Sequence, residues 1–210
     1  MAEIDPNAVN PMANRITQDL GDFASKFSNS LGTFATEAGD AWGSVEAKEF
    51  SGKAKEAITE LQRDYNARMQ EKISALNTNI GNHAQRNHES YSKIEFTPLS
   101  FNANTLDQID EENGNGKHGI KEGVKIQPIY NTFATGAKSA ISELNSLPGA
   151  VQALDVFGEN ETSAVVAAIR KAVTKFSEYY NELHNGFEKA TGIVDENDNN
   201  LIDTNTGNLN

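Results

Sequence analysis

The sequence predicts an all-α protein made of two antiparallel helical hairpins in tandem, which pack as a four-helix bundle. Apolar residues recur at spacings of three and four along four long stretches, as they do in amphipathic helices. Short breaks divide the stretches into two pairs, and a longer polar stretch separates the pairs. A short break between two helices makes them antiparallel neighbours, because their apolar stripes must bury against each other.

The first helix is predicted over about residues 11–40. Asp5-Pro6 and Asn10-Pro11 are both suitable starts, since proline is preorganised for the first helical position after a capping side chain. The stripe of this helix contains Ile16, Leu20, Phe23, Phe27, Leu31, Phe34, Ala38 and Ala41.

A Gly-rich stretch, Gly39 to Ser44, ends the first helix, and the second is predicted to extend to about residue 92. Its stripe contains Ile58, Leu61, Tyr65, Met69, Ile73, Leu76 and Ile80. Residues 1–95 are therefore predicted to form the first hairpin.

Residues 96–127 are predicted to be a polar linker, because they are rich in Asp, Glu, Asn and Gly and lack helical periodicity. The linker is long enough for the two hairpins to fold onto each other. Its apolar side chains can nevertheless dock onto the bundle, so we do not expect it to be fully disordered; they are Phe96, Leu99, Phe101, Leu106 and Ile109.

Residues 128–194 are predicted to form the second hairpin. The third stripe contains Phe133, Ala137, Ala140, Leu144, Leu147, Val151 and Leu154, and the fourth contains Val166, Ile169, Val173, Phe176, Tyr180, Leu183, Phe187 and Ala190. Pro148 predicts a kink or two abutting helices. We expect the third helix to end near Phe157-Gly158, with a positive φ at Gly158, and residues 195–210 to be a disordered acidic tail.

Composition excludes several classes of protein. The net charge of −12 argues against nucleic acid as a partner, since phosphate binding needs clustered Lys and Arg. The chain has no cysteine, which removes disulfides and thiolate metal sites. No apolar run is long enough for a membrane span, and no cleavable leader is recognisable at the N-terminus. We therefore expect a soluble chain whose export, if any, does not use a cleaved signal peptide.

The sequence indicates no enzyme, and we expect no catalytic, cofactor-binding or metal-binding residues. Neither a glycine-rich phosphate loop nor a nucleophile elbow occurs. The four histidines lack a tight metal-ligand spacing. Asp195, Asn197 and Asn199 imitate the start of a calcium loop, but Asn200 and Thr206 replace its glycine and final glutamate, so a solvated acidic tail is the better interpretation.

Two short elements carry a resemblance to a known family. Trp42-Gly43 lies at the predicted turn of the first hairpin, and Tyr91 is followed four residues later by Glu95 where the second helix is expected to end. On a helix this spacing places both side chains on one face. The chain resembles the W-x-G superfamily, small helical hairpins with a Trp-Gly element at the turn; here Gly43 follows Trp42 directly.

The resemblance implies a secreted substrate of the type VII secretion system, with Trp42 and Gly43 as the turn motif and Tyr91 and Glu95 as the export signal. It further implies protein-protein binding, a membrane ATPase of the secretion machinery as a partner, and a role in virulence or competition between bacteria. Because family members pair as antiparallel dimers, we expect either a monomer that forms an internal pseudo-dimer or a homodimer.

Two other interpretations stay open at this point. The chain could be a targeting partner or chaperone that is exported with a larger toxin, in which case apolar surface should remain available for that partner. It could also be a membrane-active helical protein, although its acidic charge disfavours binding to anionic bilayers.

Overall fold

The computed structural model describes residues 4–110 and 123–192, and these residues form an all-α helical bundle. Four long helices follow each other along the chain: α1 (Pro6–Ala41), α2 (Val45–Asn87), α3 (Gly123–Gln152) and α4 (Glu159–Thr191). Within the described ranges, short 3-10 helices at Ala103–Gln108 and Asp155–Phe157 lie in the connections. The predicted fold class is confirmed. In the described ranges no helix combines the length and apolar character that crossing a bilayer requires.

The helix pairs are antiparallel, as predicted. Phe23 of α1 contacts Tyr65 of α2, whereas Phe34, further along α1, contacts Phe50, which is earlier in α2. Helices α3 and α4 are also antiparallel. Tyr130 of α3 contacts Phe187 of α4, whereas Phe133, later in α3, contacts Tyr180, which is earlier in α4.

Contacts between Cα atoms divide the described residues into two compact units. Unit 1 lies within Met1–Ser25, Arg63–Ser100 and Ala140–Val173, and unit 2 lies within Lys26–Gln62, Phe101–Ser139 and Thr174–Asn210. Each unit takes a segment from every long helix, so each contains parts of both predicted hairpins.

Aromatic side chains form much of the core of each unit. In unit 1 the ring of Tyr65 lies between Phe23 and Phe96, with centroids 5.5 and 5.7 Å away. In unit 2 Phe27 packs edge-on against Phe176 at 4.8 Å. Edge-on pairs at these distances are a favourable arrangement for aromatic rings.

The predicted stripes form the core. Nearly every stripe residue of the four helices is buried, and the two exceptions, Ala41 and Leu61, are half-buried. In the described residues only two large apolar side chains are exposed, Val45 and Val156. The predicted docking of the linker is also confirmed for Leu99, Phe101, Leu106 and Ile109, which are buried.

Several predicted helix boundaries are wrong. The first helix begins at the earlier start signal, where the Asp5 carboxylate accepts a hydrogen bond from the Asn7 amide at 2.9 Å. The third begins at Gly123, inside the predicted linker, and continues through Pro148 as one helix to Gln152. The positive φ predicted at Gly158 is confirmed. The predicted acidic tail, with its calcium-loop imitation, lies outside the described residues.

The predicted end of the second helix near residue 92 is wrong as well, because α2 ends at Asn87. His88 adopts the left-handed conformation with φ 55°, and the Glu89 amide then donates to the Ala84 carbonyl. This is the hydrogen bond of a Schellman motif, which ends a helix and turns the chain away from the helix axis.

Candidate functional site: the Trp-Gly turn and an extended strap

The Trp-Gly element occupies the turn between α1 and α2, as predicted. Trp42 is completely buried, and its amide donates to the Ala38 carbonyl at 2.7 Å, which extends the hydrogen bonding of α1 by one residue. Its ring packs against Phe50 of α2 and Phe187 of α4, with centroids 5.4 and 5.8 Å away. The tryptophan therefore joins the turn to the core of unit 2.

Residues on both sides of Trp42 fix the start of α2. The Ser44 hydroxyl caps α2 by accepting the Ala47 amide at 3.0 Å. The backbone of Gly43 bridges that of Asp110, and the Ser44 amide donates to the Asp110 carbonyl. The turn is thus held by a residue of the predicted linker, a long-range contact that the sequence pattern does not reveal.

The structure places the predicted signal residues, Tyr91 and Glu95, outside any helix. The predicted placement of both side chains on one helical face is wrong, because α2 ends before both of them. Tyr91 is half-buried, its hydroxyl donates to the Ile4 carbonyl at 3.0 Å, and its ring lies 5.0 Å from Phe157. The Glu95 side chain is exposed.

Both residues belong to a segment that has no regular secondary structure, residues 90–101, which we call the strap. Side chains of α2 bind its backbone in pairs. The Asn77 amide group accepts the N–H of Ile94 at 2.9 Å and donates to the carbonyl of the same residue at 2.8 Å. The Asn66 amide group likewise accepts the N–H of Leu99 at 2.8 Å and donates to the Leu99 carbonyl at 2.9 Å.

Helix α1 binds the strap from a second direction. The Asn10 amide group accepts the Ser92 N–H at 2.7 Å and donates to the Ser90 carbonyl, and the Thr17 hydroxyl accepts the Glu95 N–H at 2.9 Å. These side chains satisfy the backbone N–H and C=O groups of the strap, which in a β-strand would be satisfied by a neighbouring strand.

The spacing of the binding side chains matches an extended chain. Asn66 and Asn77 are eleven residues apart, which corresponds to about 16.5 Å along a helix and brings them to nearly the same face. Their partners Leu99 and Ile94 are five residues apart, which is also about 16.5 Å in an extended segment. The strap therefore runs antiparallel to α2 with its backbone in register with polar positions of the helix.

The strap also lies close to α1 at a glycine. A Cβ atom on Gly21 would lie 3.5 Å from the Thr97 hydroxyl, which is ordinary van der Waals contact, so the Thr97 side chain lies against the backbone of α1 there. The closeness of α1 and strap at this point is useful experimentally, because two cysteines in these positions can form a disulfide.

In unit 2 the chain continues against α2 beyond Ser100. The Gln62 side chain accepts the Phe101 amide at 2.8 Å, the Ser51 hydroxyl donates to the Leu106 carbonyl, and the Lys55 ammonium pairs with the Asp107 carboxylate at 2.6 Å. These residues lie in the predicted linker, and they dock onto α2.

Asn10, Asn66 and Asn77 bind the strap but were not among the predicted site residues. Their position in the sequence is the one feature that could have indicated this role. Each asparagine directly follows a buried apolar residue of a long helix and therefore lies at the border of the apolar stripe. A polar side chain at the border of an apolar stripe is ordinarily solvated, so the sequence alone did not separate binding amides from solvated ones.

A histidine of unit 2, His184, lies beside an acid. His184 is buried, stacks on Tyr180, and approaches Glu188 with Nε2 3.4 Å from the carboxylate. Residues 4–110 and 123–192 contain no group of three or more His, Asp or Glu side chains placed to hold a metal ion.

Comparison of the chain with models of known families, with curated proteins and with solved structures gives no match.

Proposed function

We propose that this chain is a secreted helical protein, a substrate of a type VII secretion system that acts by binding proteins and not by catalysis. The observation that carries the proposal is the buried Trp42 with Gly43 at the turn of an antiparallel hairpin, followed by Tyr91 and Glu95 directly after the second helix. This combination resembles the W-x-G superfamily.

The burial of the apolar stripes supports a self-contained substrate over a targeting partner of a larger toxin. A targeting partner needs an apolar face for its toxin. Of the large apolar side chains in the described residues, only Val45 and Val156 are exposed, and a pair of valines does not make such a face.

Secretion by the native host tests the proposal. Wild-type protein should accumulate in the culture medium, and deletion of the secretion ATPase should retain it in the cells. Tyr91→Ala and Glu95→Gln should have the same effect as the deletion, while Ser100→Ala, an exposed position of the same strap, should leave export unchanged.

Undiminished protein in the medium of the deletion strain would reject the export claim. If export depends on the ATPase but both signal variants are exported normally, the type VII route would stand and Tyr91 and Glu95 would have no part in it.

A further inference from the structure

Polar side chains of α1 and α2 bind the backbone of the strap. Asn66, Asn77 and Asn10 each bind both a backbone donor and a backbone acceptor, and Thr17 binds one donor. These bonds fix the strap as an extended chain, since a helix over the same residues needs the same N–H and C=O groups for its own hydrogen bonds.

The extended form separates the two signal residues. Four residues of extended chain cover about 13 Å, whereas four residues of helix cover about 6 Å and return to the same face. In the docked strap Tyr91 is half-buried against Phe157, while the Glu95 side chain is exposed. A protein that recognises an aromatic ring and an acid on one helical turn cannot bind this form.

We propose that the strap is a latch that masks the export signal, and that the signal becomes readable only when residues 90–101 detach from α1 and α2. This inference rests on the proposed function. Release frees the backbone groups of the strap, so that the chain can continue the helical turns of α2 through Tyr91 and Glu95.

Hydrogen exchange tests whether the latch opens independently. The amides of Ile94 and Leu99 should exchange by local opening, faster than the amides of buried helix positions that exchange only on global unfolding. Asn77→Ala removes two hydrogen bonds and should accelerate exchange at Ile94 by about tenfold or more. Asn82→Ala, the same change at an exposed position of α2, is the matched control and should have no effect.

Exchange of Ile94 and Leu99 only at the rate of global unfolding would overturn the latch. An equal rate in Asn77→Ala, Asn82→Ala and the wild type would also overturn it, because the bonds from Asn77 would then contribute nothing to holding the strap. Neither result depends on the secretion system.

A reversible lock tests whether docking masks the signal. The chain has no cysteine, so Gly21→Cys with Thr97→Cys introduces one disulfide between α1 and the strap, and reduction of the same protein opens it. The probe is the purified secretion ATPase of the native host. The oxidised protein should bind at least about tenfold more weakly than the reduced protein, and Tyr91→Ala in the reduced protein should remove binding.

The outcomes separate the two proposals. Equal binding of the oxidised and reduced proteins, with loss of binding in Tyr91→Ala, would overturn the latch and leave the proposed function intact. Absence of binding in every form, including the reduced protein, would contradict the proposed function and the masking with it.

Discussion

Single asparagine side chains hold the strap against the helices. Asn66 and Asn77 lie on α2 beside its apolar stripe, and each one satisfies both backbone groups of a strap residue. Without the side chain, the N–H and C=O of that strap residue lose their partners while they remain partly buried. An unsatisfied buried group costs more than the hydrogen bond itself contributes.

We therefore expect Asn66→Ala to lower the free energy of unfolding by about 1–3 kcal/mol. Asn82→Ala should change it by less than about 0.5 kcal/mol, as is usual for a surface substitution. Urea unfolding of the two variants measures the difference. Equal stability of both variants would show that the hydrogen bonds from Asn66 to Leu99 contribute nothing to the fold.

Two buried tyrosines make the free energy of unfolding depend on pH in the alkaline range. Burial raises the pKa of Tyr65 and of Tyr179 well above the ordinary value of 10.0. Above pH 10 both phenols ionise in the unfolded chain but stay neutral in the folded one. The stability is therefore fully present below pH 10 and falls as the pH rises above it, by about 1.4 kcal/mol per pH unit for each tyrosine.

Urea unfolding at a series of pH values between about 9 and 11.5 measures this slope, and Tyr65→Phe is the diagnostic variant, since the phenylalanine keeps the ring but cannot ionise. The variant should lower the slope by about 1.4 kcal/mol per pH unit. An unchanged slope would mean that the Tyr65 phenol ionises as readily in the folded protein as in the unfolded chain.

The helices are the elements that the sequence predicts best. A stripe such as Phe133, Ala137 and Ala140 repeats with the helical period, and burial of one face is what that period reflects. The ends of helices are harder to predict, because His88 ends α2 through a left-handed conformation that non-glycine residues rarely adopt.

The strap was not predictable in the same way. Its backbone pairs with side chains far away in sequence, such as Asn77 with Ile94 and Thr17 with Glu95, and neither segment has a periodicity that reports this pairing. The sequence correctly located the Trp-Gly turn, since a glycine-rich break between two apolar stripes is a local signal. The prediction that Tyr91 and Glu95 lie on a helix is wrong, and no local feature of the sequence indicates that the helix ends before them.

A glycine sets the contact between two helices in unit 2. A Cβ atom on Gly136 of α3 would lie 2.9 Å from the Ser30 Cβ of α1, closer than real Cβ atoms approach. Gly52 of α2 faces open space, with no atom within 4 Å of its Cβ position.

Gly136→Ala should therefore lower the free energy of unfolding by about 1–3 kcal/mol through overpacking. Gly52→Ala should raise it by up to about 1 kcal/mol, because alanine favours the helix and nothing obstructs it. Thermal unfolding of the two variants compares them directly. Equal stabilisation by both alanines would contradict the close approach of α1 and α3 at Ser30.

In the whole molecule, the apolar stripes of the four helices bury one another. The pair Phe27 and Phe176 is a sensitive position, since both rings are fully buried and lie 4.8 Å apart. Phe27→Ala or Phe176→Ala should each lower the free energy of unfolding by about 3–5 kcal/mol. A near-unchanged melting temperature would mean that these faces are available to a partner.

Sedimentation equilibrium with circular dichroism on the purified protein measures whether the stripes of one chain are sufficient. We expect a highly helical monomer with the chain mass of 22.8 kDa at all accessible concentrations. A dimer, or a mass that rises with concentration, would contradict it, because apolar surface would then remain for a second chain. The targeting-partner interpretation would in that case become the better one.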